Sequence, residues 1–357
     1  MNIDDKYTIL GLMSGTSFDG VDAALLTIEG GVVTARGLSH FEEYTDVERA
    51  ILRGALGKWE ASSEVLEVIH SAHNRAISNI RQNYDYVGFH GQTLNHDPAN
   101  GRTFQAGDPS ALNVDCPVIY DFRSEDVSKG GEGAPLIPIY HYAIAKERNF
   151  KKPIAFVNIG GVSNVTYVNA SLPPDEGLVA FDCGIGNALG DDLVFERTGQ
   201  AYDHEGRLSL QGTVNQELLD QMMGHEFFAR PAPKSLDRDE FQKFRALVEP
   251  LELSDALATL NAFTVAGIKA SAKHFPTSVS HWIVCGGGRK NAAIMKGMGK
   301  NGSMGTSLED FDLNGDMTEA EGFAYLAYRV LTKQPNSFPM TTGGKTPIIG
   351  GEIYKGA

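Results

Sequence analysis

Apolar runs that stop on glycine recur along this chain. Residues 9–13 form one such run and end in Ser14-Gly-Thr-Ser17. A second run, 21–28, leads away from that turn. The pattern predicts a β-hairpin with a polar, glycine-bearing turn. Weak alternation over 32–44 predicts a third strand of the same meander. From 46 to 82 the apolar positions Ile51, Leu52, Leu56, then Val65, Ile69, Ala72, Ile77 and Ile80 recur near helical spacing, with a break around 57–63. Short strands are predicted over 84–93, 102–109 and 117–123, each running into a turn.

A second hairpin is predicted over 152–168, where an apolar strand meets Gly160-Gly161 and a further strand follows. Strand, glycine turn and helix then recur over 178–195 and 281–295. Asn187 is placed to cap the first of these helices. Long helices are predicted over 254–274 and 318–331. Asp237 with Glu240, and Thr318 with Glu321, have capping-box spacing. The two hairpins share no residue-level repeat, yet their layout is the same. At 357 residues the chain exceeds what one core usually supports. The expected division is an N-terminal lobe over 1–130, a C-terminal lobe over 131–335, and a Pro/Gly-rich tail over 336–357 that packs back on the lobes.

Composition narrows the partners. The chain is 42% hydrophobic and 21% charged, as soluble globular proteins are, and its net charge of −14 disfavours nucleic acid or an anionic membrane. Cys116, Cys183 and Cys285 are too scattered for a disulfide framework or a CxxC metal site. Residues 1–6 lack the basic-then-apolar pattern of a signal peptide, and no apolar run approaches the ~18 residues of a membrane span. A cytoplasmic protein is expected.

Candidate chemistry gathers at the glycine turns. Gly15 and Gly20 allow close approach or positive φ. Ser14, Thr16, Ser17 and the turn's N–H groups suit an anion. Asp19 and Asp22 suit Mg²⁺ or its waters. The plain alternative is a polar turn between core strands. His90 is either a site residue or a hydrogen-bonded core histidine. Arg123 either grips a carboxylate or pairs with Asp121 or Asp126. Asp182 ends a predicted strand, where loops of α/β folds carry function, or it simply forms a turn. Two motifs are decoys. Thr342-Gly-Gly-Lys-Thr346 has Pro339 where a P-loop needs glycine, and Gly184-x-Gly186-x-x-x-Gly190 misses the dinucleotide spacing by one residue.

Taken in order, these stretches resemble the acetate kinase–sugar kinase–Hsp70–actin fold: α/β, two-lobed, with its active site in the inter-lobe cleft. More narrowly the chain resembles the anhydro-N-acetylmuramic acid kinase family. The residues that carry the likeness run from Gly11-Leu-Met-Ser-Gly-Thr-Ser-Phe-Asp-Gly-Val-Asp22 through His90-Gly-Gln-Thr93, Gln105-Ala-Gly-Asp108 and Asp121-Phe-Arg-Ser-Glu-Asp-Val127. They continue with Gly130-Gly-Glu-Gly-Ala-Pro-Leu136, Asn158-Ile-Gly-Gly-Val-Ser-Asn164, Asp182-Cys-Gly-Ile-Gly-Asn187, Pro233-Lys-Ser235, Gly286-Gly-Gly288 with Asn291, and Glu319-Ala-Glu-Gly-Phe-Ala324.

The resemblance implies an ATP- and Mg²⁺-dependent kinase. It phosphorylates O6 of 1,6-anhydro-N-acetylmuramic acid while water opens the anhydro bridge at C1, a step in recycling cell-wall sugars. It implies Asp182 as base, with Glu319 holding the water or the sugar. It implies that Gly15, Thr16, Ser17, Phe18, Asp19, Gly20, Val21 and Asp22 hold the phosphates, with Asp19 and Asp22 facing the metal. Gly160, Gly161 and Asn164 meet the phosphates from the second lobe, and Gly286, Gly287 and Gly288 lie against the nucleoside. His90, Gln92, Thr93 and Arg123 line the sugar side. A homodimer is implied too. An ordinary sugar or acetate kinase, or an actin/Hsp70-like nucleotide switch, is the alternative. Four positions depart from the family pattern: Ile185 replaces Pro, Gly190 replaces a larger residue, and Arg289-Lys290 replaces a less basic pair. The first two bear on the loop that carries Asp182.

Overall fold

The computed structural model describes residues 2–236, 238–299 and 305–356. The capping residue predicted at Asp237 lies outside them. The chain divides into two compact units, 1–149 with 317–357, and 150–316.

In the first unit, β1 (Lys6–Ser14), β2 (Gly20–Glu29) and β3 (Val32–Glu43) form the predicted meander. β4 (Tyr86–Asp97) pairs parallel to β1, β5 (Arg102–Ala106) folds back on β4, and β6 (Val118–Tyr120) pairs parallel to β4. The strand Glu352–Tyr354 closes the far edge against β6. Side chains alternate between the two sheet faces. Leu10, Leu12, Val21, Ala23 and Leu25 meet Val65, Ile69, Ala72 and Ala76 of the helix Ser63–Ser78 on one face. The helix Thr318–Leu331 covers the other face. It comes very close, because Gly11 and Gly88 stand side by side in the β1–β4 ladder. A Cβ on Gly11 would lie 1.8 Å from the Ala320 carbonyl oxygen, and one on Gly88 would lie 2.5 Å from that of Phe323. Those two glycines therefore fix the first turn of that helix over the end of β1.

The second unit repeats the plan. β7 (Ile154–Ile159) and β8 (Val162–Val168) are the predicted hairpin, and β9 (Leu178–Ile185) is its third strand. β10 (Trp282–Cys285) pairs parallel to β7, and β11 (Gly305–Ser307) pairs parallel to β10. Strand order 11-10-7-8-9 matches 6-4-1-2-3 in the first unit, with the same sense at every pairing. The long helix Leu253–Ser271 packs Val265 and Ile268 onto Ala155, Val157, Val165 and Phe181. A second cluster, built on Phe227, Phe228, Phe241, Phe244 and Phe263, fills the space among the helices beside it.

The unit boundaries differ from the predicted lobes at 130/131 and 335/336. The helices Pro138–Glu147 and Thr318–Leu331, and the tail, all belong to the first unit. The physical reason is the uncovered face of the first sheet, which needs an apolar helix and takes it from far along the chain. Among the described residues no helix is long and apolar enough to cross a membrane.

Candidate active site

The first hairpin turn is anchored from behind. Ser14 and Gln92 are both 0% exposed. The Ser14 hydroxyl donates to Gln92 Oε1 and lies 2.9 Å from the Tyr44 hydroxyl. Gln92 Nε2 donates to the carbonyls of Gly15 (3.1 Å) and Thr93 (3.3 Å). Gln92 was expected to line the sugar side; its amide is instead spent on bracing the turn. Phe18 and Val21, expected to face phosphate, send their side chains into the core. Phe18 has a left-handed backbone (φ 58°), and its carbonyl accepts from Arg49 Nε at 3.1 Å. Gly20 is required by β3 instead, since a Cβ there would lie 2.2 Å from the Glu42 carbonyl oxygen. What the turn presents to solvent is Thr16, Ser17 and Asp19, with Gly15 and Asp22 half-buried.

Among the described residues no group of three or more His, Cys, Asp or Glu is placed to hold a cation. Two carboxylates beside two exposed hydroxyls fit an Mg²⁺ that keeps waters and takes its other ligands from phosphate.

A second constellation sits beside the middle of β4 and just past the carboxyl end of β6. Arg123 donates to His90 Nε2 from Nε (3.1 Å) and Nη2 (3.0 Å), and to the Gly133 carbonyl from Nη1 (2.7 Å). His90 Nε2 is thus the acceptor nitrogen, and Nδ1–H donates to the Gly91 carbonyl at 2.8 Å. Burial, then the neighbouring guanidinium, holds the His90 pKa well below its ordinary value, so the ring stays neutral. Burial also lowers the Arg123 pKa to about 10, against the pull of Glu319 and Asp126. Neither Asp121 nor Asp126 takes a hydrogen bond from Arg123. Asp126 is buried and accepts from Gly133 N–H (2.8 Å), Thr342 (2.8 Å) and Ser337, tying the glycine loop to the tail. Thr93 is half-buried and accepts from Gln105 Nε2 at 3.3 Å.

Glu319 stands in the first turn of the helix fixed by Gly11 and Gly88. Desolvation raises its carboxyl pKa, with Arg123 opposing. Glu321 does not close the predicted capping box, because the helix N-cap is Met317. Its carboxylate is buried, accepts from the Tyr140 hydroxyl and meets Arg36 Nε at 3.4 Å, while Arg36 also clasps Glu147 with two 2.8 Å bonds.

In the second unit three glycine clusters converge on the end of β7. The Gly160 and Gly161 carbonyls accept from the N–H groups of Asn187 (2.8 Å) and Gly186 (2.9 Å). A Cβ on Gly186 would lie 2.1 Å from the Gly160 oxygen. Gly286, at φ 71°, leaves room for Asn158, whose Oδ1 would be 2.3 Å from a Cβ there, and a Cβ on Gly288 would strike the Ile159 side chain. Asn187 occupies the N-cap of the helix Ala188–Thr198, but its side chain makes no cap; Nδ2 points to the Ile159 carbonyl at 3.5 Å. The basic pair is neutralised locally. Arg289 bonds Glu309 (2.8 Å), Asp316 (2.9 Å) and the Gly286 carbonyl (3.0 Å), and Lys290 pairs with Asp316.

Asp182 is cross-strand neighbour to Asn164, which in turn faces Asn158 on β7. This polar row lies on the sheet face opposite Val157, Val165 and Phe181. The segment 234–236 pairs beside it: Asp182 N–H donates to the Lys234 carbonyl at 2.9 Å, and Leu236 N–H donates to Asp182 Oδ2 at 2.8 Å. Lys234 Nζ reaches the Phe227 carbonyl at 2.8 Å, and burial pushes its pKa down to about 8. Asn158 and Gln105 were not singled out from the sequence. Their signal was adjacency to glycine turns within the motifs, which marks loop position but not a side chain's direction.

The same strand order built twice, with a glycine turn at each central hairpin, is the α/β architecture of the actin–Hsp70–sugar kinase fold class. A family model described as anhydro-N-acetylmuramic acid kinase matches residues 7–356. The anhydro-N-acetylmuramic acid kinase of Roseobacter denitrificans is 44% identical, covering 97% of this chain and 94% of the relative. That of Cereibacter sphaeroides is 43% identical, covering 97% and 95%. The chain belongs to the anhydro-N-acetylmuramic acid kinase family. Among solved structures, component A of the (R)-2-hydroxyglutaryl-CoA dehydratase of Acidaminococcus fermentans is 11% identical, covers 90% of this chain and 98% of its own, and has a TM-score of 0.47.

Proposed function

We propose that this chain uses ATP and water to convert 1,6-anhydro-N-acetylmuramic acid to N-acetylmuramic acid 6-phosphate. The observation that supports it best is the setting of Asp182, a carboxylate held by the Leu236 N–H and flanked by Asn164, inside β9 rather than at its end as the sequence suggested. Water is a poor nucleophile. Asp182 takes its proton as the water oxygen bonds to C1, and the C1–O6 bond breaks. The electron pair left on O6 then forms the new bond to the γ-phosphorus, and ADP leaves. A positioned base of this kind typically contributes ~10²–10⁴-fold.

Arg123, fixed by His90 and Gly133, binds the lactyl carboxylate through its remaining N–H groups. Glu319 holds the attacking water or the sugar. Thr16, Ser17 and the turn N–H groups hold the ATP phosphates. Asp19 and Asp22 are the residues that would hold Mg²⁺ through water, and the chemistry the ion would supply is neutralisation of charge on the phosphoryl oxygens. Gly160, Gly161 and Asn164 face phosphate, and the 286–288 turn lies against the nucleoside. The three cysteines are free thiols, which suits a reducing cytoplasm. A homodimer completes the proposal.

Incubation with MgATP and the anhydro-sugar in H₂¹⁸O tests it. ADP and a 6-phosphosugar carrying ¹⁸O at C1 are expected. Phosphosugar without the label, or a preference for ordinary hexoses or acetate, would overturn it.

A further inference from the structure

A cavity of about 170 Å³ opens among the middle of β4, β5 and the carboxyl end of β6, wholly within the first unit. It has room for on the order of five waters. It is therefore too small for a whole bicyclic sugar and large enough for one substituent. Phe104 and Tyr120 supply apolar wall, and His90, Gln105, Asp121 and Ser124 supply polar edge. Its outline is fixed. The Tyr120 hydroxyl donates to Glu352 at 2.8 Å, and Gly107 lets the Phe89 ring close the floor, since a Cβ there would come within 2.6 Å of that ring.

The polar edge has a definite sign. Gln105 Nε2 donates to the hydroxyl oxygens of Thr93 (3.3 Å) and Thr103 (2.8 Å). That network orients the amide and leaves Oε1 as its acceptor end. Asp121 adopts a left-handed backbone (φ 53°), and one carboxylate oxygen takes the Ser124 N–H at 3.3 Å. Two acceptor groups therefore face this cavity, one of them a carboxylate, and the site repels an anion. Immediately beside it the situation is reversed. His90 lines the cavity with its ring and holds Arg123 with Nε2.

We propose that this cavity seats the 2-acetamido group of the sugar, so that the acetamido and lactyl substituents are sorted by charge on either side of His90. The inference rests on the function proposed above. The acetamido N–H donates to Gln105 Oε1, the Ser124 hydroxyl donates to the acetamido carbonyl, and the methyl lies against Phe104 and Tyr120. The carboxylate is excluded by Asp121 and taken by Arg123. Gln105 and Ser124 are then specificity determinants.

The test compares kcat/KM for 1,6-anhydro-N-acetylmuramic acid and its 2-deoxy analogue, which keeps the lactyl ether and lacks the acetamido group. Wild-type protein with MgATP is expected to prefer the acetamido sugar by on the order of 100-fold. In Gln105→Leu that preference falls to on the order of 10-fold, mainly through a higher KM for the acetamido sugar. An unchanged preference in a Gln105→Leu protein that melts like wild type overturns the proposal. If Gln105→Leu melts early, the wild type alone decides with an N-hexanoyl analogue, too long for the cavity. A loss on the order of 100-fold supports the proposal, and turnover equal to the N-acetyl sugar overturns it. Failure of the wild type on every anhydro-sugar would instead bring down the proposed function, an outcome distinct from either.

Discussion

Asn164 and Asp182 stand directly opposite one another in the antiparallel pair β8–β9, and Asn164 also faces Asn158 across β7. Opposed residues in a ladder share a face and bring their side chains within reach. The hairpin that ends in Gly160-Gly161 and the strand that carries Asp182 are thereby locked in register. The glycine turn proposed to hold phosphate and the carboxylate proposed to activate water are set by the same hydrogen-bond ladder.

Asp182→Asn should therefore separate binding from chemistry. The amide oxygen can still accept from Leu236 N–H, so the loop keeps its place, but the group no longer accepts a proton. Turnover is expected to fall ~10²–10⁴-fold, with calorimetric affinities for ATP and the anhydro-sugar little changed. Retained turnover would remove Asp182 from the base role.

The contact of Gly186 with the first turn of its own unit predicts a second split. A Cβ on Gly186 would meet the Gly160 oxygen at 2.1 Å, whereas one on Gly161 meets only the Ala188 Cβ, at an ordinary 3.7 Å. Gly186→Ala should destabilise by about 1–3 kcal/mol and weaken ATP binding together. Gly161→Ala should weaken ATP binding while costing under about 0.5 kcal/mol. Urea melts alongside ATP titrations check both.

Much of this was legible in the chain itself. Apolar runs broken by glycine located both hairpins, because a strand buried on both faces and a polar, glycine-bearing turn leave plain marks. The lobe boundary was not legible. Nothing local in Thr318–Leu331 says that it covers a sheet begun at Lys6; only the bare glycines Gly11 and Gly88 hint that a helix must come close. The partners of Gln92 and Glu321 were not legible for a related reason. A polar residue beside a motif can brace it or serve it, and the choice depends on partners distant in sequence, here Ser14 for Gln92 and Tyr140 with Arg36 for Glu321.

Stability should fall in mild acid, with His73 as one cause. Its ring is wholly buried, packs edge-on against Phe89, and has Nδ1 2.7 Å from the Ile69 carbonyl, while Nε2 has no partner. Burial pushes its pKa down to about 4, against ~6.5 when unfolded. Between those values the unfolded chain binds the extra proton. The stability is thus complete above about pH 6.5 and is lost as pH falls towards 4, at up to ~1.4 kcal/mol per pH unit. His73→Leu should shrink the difference in unfolding free energy between pH 7.5 and pH 5 by about 2 kcal/mol. Equal differences in both proteins would show that the folded site accepts the proton freely.

The last prediction concerns the segment after Asp182, which holds Ile185 and Gly190. Ile185 is buried at the end of β9 and packs into the phenylalanine-rich cluster, so the strand is well held without proline. Gly190 lies in the first turn of the helix Ala188–Thr198, with ordinary right-handed backbone. A Cβ there would meet the Leu257 side chain at 3.6 Å, a normal contact. Glycine inside a helix costs roughly 0.5–1 kcal/mol relative to alanine through backbone entropy. Gly190→Ala should therefore stabilise the protein by about that amount and raise Tm by about 1–3 °C. The more telling readout is kcat. Asp182 is held by Leu236 and by the β8 ladder, upstream of the helix, so kcat should stay within about twofold, well inside 1 kcal/mol of barrier. A large fall in kcat with the expected gain in Tm would show that Gly190 supplies a motion the reaction needs.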